Sequence, residues 1–417
     1  SLSQTAEGAL SSMNDTLQRI RELAVQSSNA TNSASDRQAL QNEVNQLVSE
    51  LDRQSVAAEF NGMKIFDGSF GTATFQVGAN ANQTISTTTA NFRTAQFGVN
   101  RATGQASSGA AATDAQMAAG TGNRINGETL VVNGSLGSSS ITVVDSSAKT
   151  VADQINAVTA TTGVKATAKT EITNLSFATA GSYSFTLKSD NATAVTVAFS
   201  LTAVTGSDPL NAAVTAINDQ SAKTGVVAAV NTAGTGLSLT NQTGNTIYLA
   251  NSVVGNTNAG AITGGGATVA ATGAANNAAA ITGQLTLLSD KTFSATGTAA
   301  ETLAAASVSS SLNAVSTLDV ASFANAQLAI DIVDGALASV TAQRSKFGAM
   351  QSRFESTIAN LNVASENLSA SRSRIRDTDY ALETASLTRG QILQQAGTAM
   401  LAQANALPNS VLSLLRG

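Results

Sequence analysis

The side chains that could do chemistry in this sequence are carboxylates, hydroxyls and amides, and little else. There are 27 Asp and Glu residues but no His and no Cys. Without His there is no Ser/His/Asp or Cys/His nucleophile, no His-based zinc site and none of the commonest general base. Without Cys there is no disulfide, thiolate metal site or thiol redox chemistry. The carboxylates could hold a hard cation, but no D-x-[DN]-x-[DN]-G loop gathers them. Neither a G-x-x-x-x-G-K-[ST] phosphate loop nor a G-x-S-x-G elbow is present. This inventory points away from an enzyme and implies no cofactor. The net charge of −5 offers no basic surface for nucleic acid.

The spacing that does carry information is apolar, and its chemistry is association. Val333, Val340, Phe347, Phe354, Leu361, Leu368 and Ile375 recur every seventh residue. A sustained heptad is the mark of a helix laid along another helix. At 1.5 Å per residue this one spans roughly 60 Å, too long for a small globular core. Near the other end, Leu10, Met13, Leu17, Ile20 and Ala24 form one helical stripe, and Leu40, Val44, Leu47 and Leu51 form a second. Between them lies a polar break at 27–35, with Ser35 or Asp36 expected to cap the second helix. After Asp377-Thr378-Asp379 comes a last helical segment. Its apolar face is Leu382, Leu387, Ile392, Leu393, Met400 and Leu401, running on to Val411, Leu412, Leu414 and Leu415. Such a tail is an aggregation hazard unless assembly buries it. No single apolar run approaches the roughly 18–20 residues that cross a bilayer, so no membrane insertion is expected.

The middle of the chain is different material. Residues 101–310 hold 18 of the 49 charged side chains and are rich in Ala, Gly, Ser, Thr, Val and Asn. Alternations such as ITVVDSS, YSFTLKS and VTVAFSLT predict strands. VADQINAVTATTGVKATA and AAVTAINDQSAKTGVVAAV share a helix-then-strand pattern, which suggests a repeated α+β unit. AGAITGGGATVAATGAANNAAA reads as a low-complexity loop. Phe60-Asn61-Gly62 and Phe66-Asp67-Gly68 are turn signals, and TATFQVG and NQTISTTT are short strands.

At 417 residues more than one domain is expected. The fold class predicted is α+β multidomain: a long coiled-coil α-helical stem from both termini around a β-rich (α+β) insert. The boundaries are 1–100 for the N-terminal helical stem with short hairpins and 101–316 for the outer β-rich region. A C-terminal stem helix follows over 317–376 and an inner helix over 377–417. The opening SLSQTAEGAL lacks the basic segment and apolar core of a secretory signal and reads as mid-helix, so a preceding segment is expected.

Two long stretches resemble bacterial flagellin. One is SLSQTAEGALSSMNDTLQRIRELAVQSSNATNSASDRQALQNEVNQLVSELDR with FNGMKIFDGSF after it. The other is SRSRIRDTDYALETASLTRGQILQQAGTAMLAQANALPNSVLSLLRG. The resemblance covers roughly 1–100 and 317–417, and its length at both ends makes it specific. It implies a homo-oligomeric helical filament with terminal helices inside, extracellular in the bacterial flagellum and secreted through the flagellar export apparatus. It further implies an export chaperone, a filament cap and hook-junction proteins as partners. Packing in the filament core would fall to Phe347, Phe354, Leu361, Leu368, Ile375, Leu393, Leu401, Leu412 and Leu415. Polar candidates for subunit contact are Gln18, Arg19, Arg21, Glu22, Gln26, Asp36 and Glu43. In related flagellins the QRIRELAVQS segment is also the surface sensed by the host Toll-like receptor for flagellin, a pattern that Arg19, Leu23 and Glu43 match. The rivals are a hook–filament junction protein, and an adhesin or glycan-binding homologue in which Tyr183, Tyr248 and Phe293 stack on sugars. An embedded metalloprotease is excluded, because H-E-x-x-H needs His.

Overall fold

The computed structural model describes residues 2–78, 82–251, 262–269, 277–298, 301–303, 305–376 and 379–417. They divide into two compact units, Ser1–Gly71 with Thr89–Ser345, and Thr72–Thr88 with Lys346–Gly417.

The first unit begins with helix α1 (Leu2–Ser27), which buries Ala6, Leu10, Met13, Leu17, Ile20, Leu23 and Ala24 on one face. After a polar turn, helix α2 (Ala34–Ala57) runs back and buries Val44 and Leu51, while Leu40 and Leu47 are half-buried. Its cap corrects the sequence reading, being Ser33 rather than Ser35 or Asp36. Ser33 Oγ accepts from the Asp36 backbone N–H at 3.2 Å, and the Asp36 carboxylate accepts from the Ser33 N–H at 2.9 Å. Asp36 is thus the third helical residue of a capping box. These bonds hold its carboxyl below the usual range, led by the one from the Ser33 backbone. The two-residue hairpin Glu59–Phe60/Met63–Lys64 follows, turning at Asn61-Gly62.

The stem helix runs from Phe323 to Arg376 without a break. In its first part Ala326, Ala329, Ile332, Val333, Ala336 and Val340 are buried. Gly335 lets that part approach the strand Gly98–Thr103, because a Cβ there would sit 2.8 Å from Val99 Cβ and 2.9 Å from the Gly98 carbonyl. Two ion pairs tie this part to α1, Arg21–Asp334 at 2.6 Å and Arg344–Glu7 at 2.5 Å. The Gln41 side chain on α2 grips the approach to the helix, donating to the Leu318 carbonyl at 3.2 Å and accepting from the Val320 N–H at 2.5 Å.

The insert is built of antiparallel sheets. One runs in the order 195–201, 181–188, 247–251, 278–282, 108–112; another runs 307–309, 294–297, 128–133, 138–143. A larger sheet, 226–230, 237–241, 165–177, 284–289, 98–103, 311–314, joins the insert to the segments that lead back to the stem. Two helix–helix–strand segments repeat one hydrogen-bond scheme. Asn156 bonds both backbone groups of Ala166, at 2.9 and 2.8 Å, and Asn218 does the same with Ala228, at 3.0 and 2.7 Å. Gly163 and Gly225 take matching left-handed conformations between helix and strand, with φ 74° and 68°. The stretch read as a low-complexity loop contains three strands, Ile262–Gly264, Ala267–Val269 and Ala278–Thr282; its residues 259–261 and 270–276 lie outside the described residues. Alanine and glycine at alternate buried sites hid them, since Ala278 and Ala280 are core residues without a large side chain.

In the second unit, strands Thr72–Gln76 and Thr84–Thr88 form a hairpin, and Phe75 meets Phe354 of the stem helix edge-on at 5.8 Å. The C-terminal helix spans Tyr380–Leu414, its N-terminus capped by the Asp379 carboxylate. Residues 377 and 378 lie outside the described residues.

Candidate assembly interface

The apolar heptad of the stem helix changes character along its length. Val333, Val340 and Phe347 are buried. Phe354 is half-buried. Leu361 is then 36% exposed, Leu368 71% and Ile375 88%. Leu393, Leu401, Leu412 and Leu415 of the C-terminal segment are all exposed, together with Leu382, Leu387, Ile392, Met400 and Val411. Burial along this helix falls away beyond Met350. Phe347 belongs to the chain's own core. Full burial of such side chains stabilises by about 1.5–3 kcal/mol each. A monomer seldom leaves so long an apolar face in water without a partner for it. The same composition bears on the expectation about membranes. Apolar residues are scattered among polar ones, so no long run stands out, yet an 18-residue window within Phe323–Leu414 averages a mean hydropathy of 1.2 and passes for a membrane span by length and composition.

The polar candidates on α1 and α2 fall into two groups. Gln18, Glu22, Gln26 and Arg19 are exposed, as is Glu43 on α2. Arg19 bridges them, donating to Glu43 Oε1 from Nη2 at 2.8 Å and from Nε at 3.1 Å, and to Glu22 Oε2 at 3.1 Å. The Glu43 carboxylate, followed by Glu22, raises the Arg19 pKa, so its charge is fixed. Arg21 and Asp36 are already engaged, by Asp334 and by the capping box. Leu23 is a correction: it is buried within the α1 stripe and presents no surface to a partner. The spacing Leu10, Met13, Leu17, Ile20, Ala24 placed it on the apolar side, and the resemblance overrode that signal.

Sequence reasoning missed a bidentate pair in the stem. Arg93 donates to both oxygens of Asp52, at 2.9 and 3.0 Å, and the Thr94 N–H donates to Asp52 Oδ1 at 3.1 Å. Residues 41 positions apart in a charge-mixed sequence gave no local signal for it. The aromatic residues considered for stacking on sugars are core: Tyr183, Tyr248 and Phe293 are all buried. Among the described residues no group of three or more His, Cys, Asp or Glu side chains gathers as a metal site.

A self-contained β insert carried on helices whose far ends remain uncovered defines a structural protein that assembles through its termini. Comparison with known proteins gives the family. The bacterial flagellin N-terminal helical region matches residues 1–71, and the bacterial flagellin C-terminal helical region matches residues 330–415. The B-type flagellin of Pseudomonas aeruginosa is 40% identical over 430 residues, covering 100% of this chain and 85% of that one. A flagellin of Salmonella choleraesuis is 34% identical over 454 residues, covering 100% and 86%. Among solved structures, FliC from Burkholderia pseudomallei covers 84% of this chain and 98% of its own, at 21% identity and a TM-score of 0.34. The chain belongs to the bacterial flagellin family. It is a structural subunit of the flagellar filament, a homopolymer outside the cell, and not an enzyme.

Proposed function

We propose that copies of this chain polymerise by burying between them the apolar face of Phe354, Leu361, Leu368, Ile375, Leu393, Leu401, Leu412 and Leu415. One observation supports this above the rest, the loss of burial along an uninterrupted heptad in a single helix. The sequence keeps the pattern of a packed helix through a stretch whose apolar side chains are exposed among the described residues. A repeated contact between identical copies that does not close on itself grows a fibre. In this reading 1–100 and 317–376 form the stem, 377–417 the innermost layer and 101–316 the outer part. Export runs through the flagellar apparatus, with a chaperone, a filament cap and hook-junction proteins as partners.

A second surface serves recognition by the host. Gln18, Arg19, Glu22 and Gln26 with Glu43 form one exposed polar patch in which Arg19 joins α1 to α2, and this patch is the contact for the Toll-like receptor that senses flagellin. Leu23 supports it from beneath. The test separates the two surfaces. Leu368→Asp with Ile375→Asp in the filament subunit should abolish filaments in electron micrographs and leave receptor-reporter activation by monomer intact. Arg19→Ala or Glu43→Ala should do the reverse. Normal filaments from the double-Asp chain would sink the assembly reading.

A further inference from the structure

Three Asn–Gly pairs occur in the sequence, at 61–62, 126–127 and 133–134. An Asn–Gly pair can modify itself. The glycine amide nitrogen attacks the asparagine Cγ, a C–N bond forms, the Cγ–Nδ2 bond breaks and ammonia leaves. Water then opens the cyclic imide at either carbonyl, giving aspartate or isoaspartate. The step needs a free asparagine side chain, an unengaged glycine N–H and a backbone able to rotate between them.

The three pairs differ in how far they meet these conditions. Asn133 is held in a strand between two others, opposite Ser138 on one side and Ser294 on the other. The Gly134 N–H donates to the Gly137 carbonyl at 2.9 Å. Gly134 is also wedged against a neighbouring backbone, since a Cβ there would lie 1.8 Å from the Thr162 carbonyl. Asn126 is exposed, but its side-chain oxygen accepts from the Asp145 N–H at 3.1 Å. Asn61 is exposed at the tip of a hairpin, and its side chain makes no hydrogen bond with a described residue. Nothing lies within 4 Å of the position a Gly62 Cβ would take. Both turn residues are left-handed, with φ 51° and 77°, the conformation a two-residue hairpin turn demands. The backbone must leave that conformation to react, and only a short hairpin holds it there. Its ties are the pairs Glu59↔Lys64 and Phe60↔Met63, one further bond from the Ile65 N–H to the Ala58 carbonyl at 3.0 Å, and the exposed Lys64–Glu59 ion pair at 2.6 Å.

We propose that Asn61 is a site of spontaneous deamidation in the folded chain, and that Asn126 and Asn133 are protected by the fold. The products change the turn in two ways. Aspartate adds a negative charge next to the Glu59–Lys64 pair. Isoaspartate inserts an extra backbone carbon into a two-residue turn, which the Phe60↔Met63 pairing cannot absorb without losing register.

The test uses the full chain, aged at mildly alkaline pH in buffer and, in parallel, in concentrated urea. Peptide mapping by mass spectrometry reads amide-to-acid conversion at each site, and labelling by an isoaspartyl methyltransferase reads the isoaspartate. In buffer Asn61 should convert several-fold faster than the other two, and in urea the three rates should converge. Glu59→Gln, which removes the ion pair, should speed conversion at Asn61 by about two- to fivefold. Equal rates at the three sites in the folded chain would overturn the proposal, as would an Asn61 that reacts only in urea. An unchanged rate in the Glu59→Gln chain would overturn the opening of the hairpin as the controlling step.

Discussion

Val333 and Ile375 occupy the same heptad position of one helix, yet the first is fully buried and the second is 88% exposed. Side-chain chemistry does not separate them, because both are β-branched aliphatic residues at the same phase of the same repeat. What separates them is whether the chain supplies a neighbour. Around Val333 it does, through α1, which forms ion pairs with Asp334 next to it and with Arg344 further along. Around Ile375 none does so among the described residues, and the C-terminal helix buries none of its side chains there either. A heptad therefore reports that a face is meant to pack, and leaves open whether its partner lies in the same molecule. In a filament subunit the second answer is the functional one.

The sharpest way to break that comparison is to put the same charge at both positions. Val333→Asp places a carboxylate in a buried face with nothing to pair it, which should cost about 3–5 kcal/mol and unfold the stem. Ile375→Asp should leave the monomer's stability within about 0.5 kcal/mol, as surface substitutions do, while suppressing polymerisation. Thermal unfolding followed by circular dichroism measures the first, and sedimentation after seeding measures the second. Equal destabilisation of the monomer by both would show that the far half of the helix has an intramolecular partner after all.

Gly335 tests the well-packed side alone. Its added methyl group would meet Val99 and the Gly98 carbonyl at 2.8–2.9 Å, and these are strand backbone and a β-branched side chain that cannot swing away. Gly335→Ala should therefore destabilise by about 1–3 kcal/mol, against the usual gain for that change in a helix. Gly348 and Gly390 have nothing within 4 Å of such a methyl, so the same change there should be neutral or slightly stabilising. Denaturant midpoints for the three variants give the contrast directly.

The insert supplies the complementary case, a region that completes its own core. Tyr248 is buried and donates its hydroxyl to Asn123 Oδ1 at 3.1 Å, and burial, followed by the nearby Asp145 carboxylate, pushes its pKa up to about 12. The folded form binds the phenolic proton more tightly than the unfolded form, whose pKa is near 10. The stability gained from that proton is present below pH 10 and is lost as pH rises towards 12, by roughly 2–3 kcal/mol. Tyr248→Phe should remove that slope. Parallel pH dependences for the two chains would mean that the site opens before the phenol ionises.

The helical parts were legible in the sequence because their signals are local. Periods of three, four and seven place a stripe without knowledge of the partner, and Leu10, Met13, Leu17 and Ile20 are all buried where the pattern put them. Charge pairs were not legible, since Arg93 and Asp52 meet only because the chain folds back. The strands at 262–264, 267–269 and 278–282 were missed for another reason. Each carries a single large aliphatic residue, Ile262, Val269 or Ile281, among Ala, Gly and Thr, so the hydrophobic signal is too sparse to read. The assembly face was half legible: the apolar repeat could be read as a packing face, but the point along the helix where burial falls away could not.

Asp52 offers the smallest effect and a test confined to the stem. Hydrogen bonds from Arg93, the larger cause, and from the Thr94 backbone hold its carboxyl below the usual range, against a burial that pushes the other way. A carboxyl whose pKa is lower when folded stabilises above the unfolded value near 3.9, and that contribution fades as pH falls through the folded value. Arg93 is almost half exposed, so the pair contributes no more than about 1 kcal/mol. Asp52→Asn should lower the melting temperature slightly at neutral pH and match the parent once the parent's Asp52 carboxyl is neutral. The insert should not respond at all, because none of its strands contacts this pair through a hydrogen bond. A variant whose deficit persists unchanged into acid would assign the role of Asp52 to packing rather than to charge. That outcome would place it with Val333, as a residue defined by its neighbours, and leave the heptad of the stem helix as the feature that decides where this chain ends its own core.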